Sequence, residues 1–387
     1  MESIISVDKA YVAGTYGRFP VELVEGSGSI VKDLNGREYI DLGSGIGVTA
    51  FGFGDRIWTQ AVTGQLMKLQ HTSNLYYTQP CAKLAKALCE RTGLKKAFFS
   101  NSGAEANECA IKVARKYSAR KKGENCCTIV TLKQSFHGRT LTTLAATGQD
   151  HFHQDFLPLT PGFVHVAAND IAELNAAVNE TTAGIMIEIV QGEGGVNPLT
   201  GEFVAECARL SAEKDIPLIV DEVQTGNGRS GKLYAYQHFG ILPDIVSTAK
   251  GLGGGLPIGA TLMGEKVQDV LKPGDHGSTY GGNPVCSAGA LSVIERLDET
   301  FLEGVREKSD YVFSTLRGAP GIESVTGLGL MIGIKTVKPA KEVVAECMNR
   351  GVLCLTAKDK VRLLPALNIP MEVLCRALDI LKAVCGE

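Results

Sequence analysis

The 387-residue chain contains no run of about 18 apolar residues, the length a membrane-crossing helix needs, so no transmembrane span is expected. It has no basic excess either. The 39 lysines and arginines stand against 42 acids, for a net charge of −3, which leaves no cationic face for nucleic acid. No repeat, low-complexity segment or long run of one charge interrupts it. The 11 cysteines lack zinc-site spacing and are odd in number. They read as reduced, mostly buried thiols of a reducing compartment, and no metal is expected. Residues Met1 to Asp8 form neither a basic signal start nor an arginine-rich leader, so the cytoplasm is the expected location. A Gly-x-x-x-x-Gly-Lys-Ser/Thr loop is also missing, which argues against a nucleotide-cradling P-loop.

What is present suits a folded globular protein: 44% apolar residues, 21% charged residues, 45 glycines and enough length for two or three lobes. The informative stretch runs from 217 to 259. Leu218-Ile219-Val220 is a short apolar run, readable as a buried parallel strand, and it stops at Asp221-Glu222. Ile245-Val246-Ser247-Thr248 is a second run, leading into Lys250 and then Gly251, Gly253, Gly254 and Gly255. Ligands of open α/β sheets sit at the carboxyl ends of strands, so both endings aim an ionisable group at one crevice. An acid and a lysine so placed suit pyridoxal phosphate. A lysine amine condenses with its aldehyde, and a carboxylate pairs with its protonated ring nitrogen. Glycines after the lysine would let the backbone approach the cofactor. The competing reading is a strand-end acid and a surface lysine among glycine-rich turns.

Other segments carry weaker signals. Gly28 to Leu42 reads as a hairpin turning at Asn35-Gly36. Tyr16 and Arg18 are either substrate contacts or a structural aromatic and a surface charge. Ser102 and Glu105 have capping-box spacing ahead of a helix with Ala106, Cys109, Ala110, Val113, Ala114 and Tyr117 on one face. The free N–H groups at its start make a phosphate site, unless it is simply a capped helix. Thr128 to Leu132 reads as a strand, followed by Ser135-Phe136-His137-Gly138-Arg139. Ile185 to Gly195 reads as a strand running into a glycine-rich turn that contains Glu193.

Asp221-Glu222-Val223-Gln224, Ser247-Thr248-Ala249-Lys250 and His276-Gly277-Ser278-Thr279-Tyr280-Gly281-Gly282-Asn283-Pro284 follow the order of a known family. The chain resembles the class III (omega-amino) aminotransferases over nearly its whole length, most closely the branch that uses acetylornithine. The resemblance implies an α/β fold of type I. A large domain would carry a mainly parallel seven-stranded sheet flanked by helices, beside a smaller α+β domain built from both chain ends. The corresponding boundaries are 1–50 for the N-terminal segment, 51–284 for the large domain and 285–387 for the small one.

The same resemblance implies the site. Lys250 would tether pyridoxal 5′-phosphate, with Asp221 at its ring nitrogen. Phe136 would lie flat on the ring, Val223 on the opposite face and Gln224 at the 3′ oxygen, with Glu222 in the same motif. Gly103 and Ala104 would hold the phosphate, and Thr279 would reach the phosphate of a partner subunit in a homodimer. Arg139 would bind the carboxylate of acetylornithine. Arg139 and Arg362 together would bind 2-oxoglutarate or glutamate, a task suited to planar guanidinium groups. Ser278 would lie near substrate, Glu193 could mask an arginine, and His137 is expected to be scaffold. Three positions depart from the family pattern. Gly52-Phe53-Gly54-Asp55-Arg56 replaces Gly-His-x-His-Pro, Ile189 replaces a proline, and Thr326 replaces an arginine. Siblings acting on ornithine, succinylornithine, 4-aminobutyrate or an acylated lysine stay open. The alternative from another class is a non-catalytic nucleotide- or phosphate-binding module.

Overall fold

The computed structural model describes residues 3–387. Seven strands form the central sheet in the order Lys96–Ser100, Gly259–Met263, Ile245–Thr248, Leu218–Asp221, Thr182–Ile187, Thr128–Leu132, Phe163–Val166. Only Gly259–Met263 runs against its neighbours, so the sheet is mainly parallel, as expected. Strands covered on both faces need apolar residues throughout. Thr182–Ile187, Leu218–Asp221 and Ile245–Thr248 are accordingly buried at every position. Helix Gly103–Lys122 packs on this sheet through Ala106, Cys109, Ala110, Val113, Ala114 and Tyr117, the face read from its periodicity. Its last turn carries Arg120, Lys121 and Lys122, cations that suit the negative end of the helix dipole.

Register decides what meets at the sheet's edge. Val220 lies beside Ile187, and Asp221 beside Ser247. Glu188, the next residue after Ile187, therefore emerges beside Asp221, and Lys250 follows three residues after Ser247 at the same sheet edge. The stretch from Ile185 to Gly195 is not one strand: it breaks at Glu188, and Val190–Gln191 pairs with Asn197–Pro198 in a separate ribbon.

The two chain ends share a sheet. Leu23–Ser27, Ile30–Asp33 and Glu38–Asp41 run antiparallel, and Val352–Leu353 joins the last of them in parallel. The hairpin turns at Asn35-Gly36, where Asp33 Oδ1 accepts the N–H groups of Asn35 and Arg37. A further four-stranded sheet is wholly C-terminal and holds Lys360–Leu363, the strand of Arg362. Arg229 ties these parts together. Its Nη1 donates to the carbonyls of Leu330 and Pro365, and burial without a carboxylate partner brings its pKa down to about 9.

The departures from the family pattern have local structural work. Asp55 caps helix Arg56–Leu66 through the Trp58 N–H and pairs with Arg296 at 2.9 Å. Thr326 Oγ1 donates to the Val196 carbonyl at 2.8 Å and accepts from Lys360. All eleven cysteines are free. Among the described residues, no helix is long and apolar enough to cross a membrane.

Candidate active site

The strand ends open into a cavity of about 510 Å³. It is lined by Gly103, Ala104, Phe136, Arg139, Asp221, Val223, Gln224 and Lys250, eight of the residues singled out from sequence. Lys250 begins a short 3₁₀ turn immediately after the Ile245–Thr248 strand and Ala249. Its φ is +42°, a left-handed conformation that costs energy for a side chain with a Cβ and that often marks functional positions. Burial pushes its amine pKa down, against the upward pull of the Glu193 and Asp221 carboxylates. Among the described residues the amine makes no hydrogen bond or ion pair, so it is free to react.

Asp221 is the opposite case, because three of its four lone-pair directions are claimed and one, on Oδ1, stays open. Oδ2 accepts from Asn107 Nδ2 at 2.7 Å and from His137 Nδ1 at 2.8 Å, and Oδ1 accepts the Val223 N–H at 3.0 Å. Asn107 also reaches the His137 carbonyl at 2.8 Å, which locks the three together. His137 is thus a scaffold residue, and its task is specific: it fixes the acid. Asn107 escaped sequence reasoning. The available signal was a polar residue placed among the apolar positions of a packed helix face, where it is 1% exposed.

The start of helix Gly103–Lys122 forms the anion end of the cavity. Ser102 Oγ caps the Glu105 N–H, and Glu105 reaches back to the Asn101 N–H instead of that of Ser102. The N–H groups of Gly103 and Ala104 have no acceptor among the described residues, which leaves the positive helix terminus open. A Cβ on Gly103 would stand 2.6 Å from Val223 Cγ1, so glycine is required by close packing. Of the glycines after Lys250, Gly255 lines the cavity, whereas Gly254 serves packing. A Cβ on Gly254 would strike the Trp58 indole nitrogen at 2.8 Å, so that position is cleared for Trp58.

Two arginines flank the cavity in contrasting states. Arg139 is exposed, has no carboxylate partner, and stacks on the rings of Phe152 at 3.9 Å and Phe136 at 5.5 Å. Arg362 is buried, and its Nη1 contacts Glu193 Oε1 at 2.5 Å and Gln224 Oε1 at 3.2 Å. Burial raises the Glu193 pKa, but Arg362, Lys250 and Gln224 outweigh it and hold the carboxyl below its ordinary range. Glu193 and Arg362 join the cavity only through Gln224, whose Nε2 donates to Glu193 at 3.3 Å.

Five other positions singled out from sequence lie away from the cavity. Glu222 is fully buried and turned elsewhere. It accepts from Thr225 Oγ1 at 2.6 Å and the Tyr236 N–H at 2.8 Å, and burial brings its pKa up to about 7. Ser278 connects through Asn101, at 3.2 Å from its Nδ2, and Thr279 is exposed. Tyr16 and Arg18 are exposed too, and Arg18 pairs with Asp8 at 3.3 Å. Glu188 does line the cavity, although it drew no attention in sequence. Its signal was an acid ending the Ile185-Met186-Ile187 run just as Asp221 ends its own.

Comparison with known proteins agrees with this geometry. The family model "Aminotransferase class-III" matches residues 11–385. The acetylornithine aminotransferase of Haemophilus ducreyi is 49% identical over 100% of this chain and 99% of that protein. The corresponding protein of Methanocaldococcus jannaschii is 44% identical over 98% of this chain and 97% of its own. Among solved structures, ornithine aminotransferase from Toxoplasma gondii ME49 superposes with a TM-score of 0.95 at 30% identity, covering 99% of this chain and 94% of that one. N-acetylornithine aminotransferase from Stenotrophomonas maltophilia gives a TM-score of 0.85 at 33% identity, covering 98% of both chains. With the fold, the lysine–aspartate pair and the full-length match in agreement, the chain belongs to the class-III aminotransferases.

Proposed function

We propose that this enzyme transfers the terminal amine of N²-acetyl-L-ornithine to 2-oxoglutarate, giving N-acetyl-L-glutamate 5-semialdehyde and L-glutamate, in the cytoplasmic route to arginine. The observation that carries it is the pair of unequal arginines beside Lys250: Arg139 bare, Arg362 neutralised by Glu193. A donor with one carboxylate needs only Arg139. A dicarboxylate acceptor needs both, and Glu193 must yield Arg362 to it.

The residues present fit pyridoxal 5′-phosphate. The open N–H groups of Gly103 and Ala104 suit its phosphate, and Asp221, oriented by three donors, suits a protonated ring nitrogen. Phe136 and Val223 would face the ring, Gln224 its 3′ oxygen, and Glu222 would support the motif from behind the strand. When bound, the cofactor supplies an aldehyde that condenses with amines and a ring that accepts electron density from carbon. The chain supplies the rest. The Lys250 amine, made easier to deprotonate by burial, takes the proton from the carbon bearing the transferred nitrogen. Asp221 holds its charge still while that proton moves, because Asn107 and His137 leave it no other geometry. Arg139 fixes the donor's far end, so the terminal amine is the end presented.

The site is completed by a second copy of the chain. Thr279 is exposed on one subunit and would reach the partner's phosphate, with Ser278 beside the substrate. The division into segments 1–50, 51–284 and 285–387 rests on the sheet shared by Glu38–Asp41 and Val352–Leu353, which joins the chain ends. The test is a panel of amine donors with 2-oxoglutarate: acetylornithine, succinylornithine, ornithine, 4-aminobutyrate and acetyl-lysine. Acetylornithine should give the highest kcat/KM, and a clear preference for free ornithine would reject the assignment. Arg362→Ala should damage the 2-oxoglutarate half-reaction far more than the donor half-reaction.

A further inference from the structure

Two carboxyl groups end adjacent strands at the cavity floor, and their surroundings differ. Asp221 follows Val220, Glu188 follows Ile187, and those two residues are cross-strand partners. Both acids are buried, at 4% and 6% exposure. Asp221 receives three hydrogen bonds, while Glu188 receives one, from the Phe136 N–H to Oε2 at 3.0 Å. Two unscreened carboxylates side by side in a buried site repel strongly, so a pair in this position keeps one proton between them. The proton goes to the member with fewer donors.

We propose that Glu188 is a positioning residue that carries this single proton, so that the floor holds one negative charge and the Lys250 amine is not forced to stay protonated. The proposal rests on the aminotransferase reading for its purpose, though not for the placement of the proton. The groups facing Glu188 are Asp221 on the neighbouring strand, Lys250 after the next strand, Glu193 on its own loop and the Phe136 N–H. Burial raises the Glu188 pKa well above its ordinary value, and Asp221 raises it further, against smaller opposing pulls from the Phe136 N–H and Lys250. An ionised Glu188 would add a further anion near Lys250, beside Asp221 and the Arg362-paired Glu193, and favour the ammonium form, which is no base. A neutral carboxyl still accepts the Phe136 N–H through one oxygen. It therefore seats that ring without charging the floor.

The test compares wild type with Glu188→Gln and Glu188→Ala. Infrared difference spectra of wild type minus Glu188→Gln, taken on apoprotein and holoenzyme at neutral pH, should show the C=O stretch of a protonated carboxyl group. Carboxylate stretches alone would overturn the proposal. In apoprotein, the pH at which Lys250 becomes reactive toward an acylating reagent should match in wild type and Glu188→Gln. A lower value in the variant would mean that a negative charge had been removed, and would overturn it equally. In the holoenzyme, glutamine reproduces a neutral group that accepts the Phe136 N–H, so kcat should stay within about threefold of wild type across the pH profile, while alanine should lose about tenfold or more. A glutamine loss as deep as the alanine loss would also overturn it. If wild type transfers no amine yet the infrared band is present, the proton's placement stands and the activity assignment falls.

Discussion

The floor of the Lys250 cavity and the rim of a second cavity, linked to it through the Asn101–Ser278 contact, differ in how completely one chain builds them. At the floor, Asp221 is held by buried Asn107 and His137 and by the Val223 N–H, all from the same subunit. At the rim, the segment from His71 to Tyr77 and the loop from His276 to Asn283 border a larger cavity of about 620 Å³. There the side chains of Leu75, Tyr76, Tyr77 and Tyr280 stand 85%, 71%, 106% and 62% exposed. A contiguous apolar surface of this kind is costly in water unless it is covered. The floor is a product of folding, whereas the rim, on the homodimer proposal, is a product of assembly. Damage to the two should therefore look different.

The largest effect should come from the floor. Lys250→Ala removes the free amine and should lower amine transfer by about three orders of magnitude or more, with the fold intact by circular dichroism. It should also abolish the visible absorption that borohydride reduction would otherwise fix to this position. Retained turnover would remove the basis of the site. At the rim, Leu75→Glu combined with Tyr77→Glu places charge on the uncovered surface. Sedimentation should show monomers, and activity should fall about a hundredfold although no floor residue has changed. A monomeric variant with full activity would break the distinction between the two regions.

A smaller, graded loss is expected where floor meets phosphate end. Gly103→Ala puts a methyl 2.6 Å from Val223 Cγ1. Overpacking of this kind costs about 1 to 3 kcal/mol, so cofactor affinity should drop roughly tenfold to a hundredfold, measurable by equilibrium titration of apoprotein. The dimer should survive, since the rim is untouched.

This contrast also explains what the sequence made legible. Strand-end chemistry is local: an apolar run, then an acid or a lysine, places both groups with no knowledge of the rest of the fold. That is why Asp221 and Lys250 could be read directly, and why the hairpin at Asn35-Gly36 and the capped helix after Ser102 could too. Glu188 carries the same strand-end signal, and only its pairing with Asp221 depends on cross-strand register. Asn107 and His137 depend on a helix and a loop laid over the sheet, and in one dimension they are an ordinary polar residue and an ordinary histidine. Glu222 shows the converse. Its neighbour's role suggested the cavity, but alternation along an extended backbone turns it to the other side, toward Thr225 and Tyr236. Thr279 and Ser278 could be placed only by resemblance, since their purpose depends on a surface the single chain does not contain.

The mildest expected effect concerns the gate between donor and acceptor. Glu193 neutralises Arg362 at 2.5 Å, and Gln224 braces both. Glu193→Ala would leave Arg362 bare at all times. The KM for 2-oxoglutarate should then fall severalfold and the KM for a monocarboxylate donor should rise severalfold, with kcat nearly unchanged, since the cost is in ground-state binding. Steady-state kinetics with both substrates varied would measure it. The pH dependence follows from the sign of the shift. The Glu193 carboxyl is held below its ordinary range, so the ion pair persists through neutral pH and opens only as pH falls through that depressed value. Wild type should therefore drift toward the behaviour of Glu193→Ala on the acid side alone, and the variant should show no such drift. Identical acid-side trends in both proteins would place the gate on some other group.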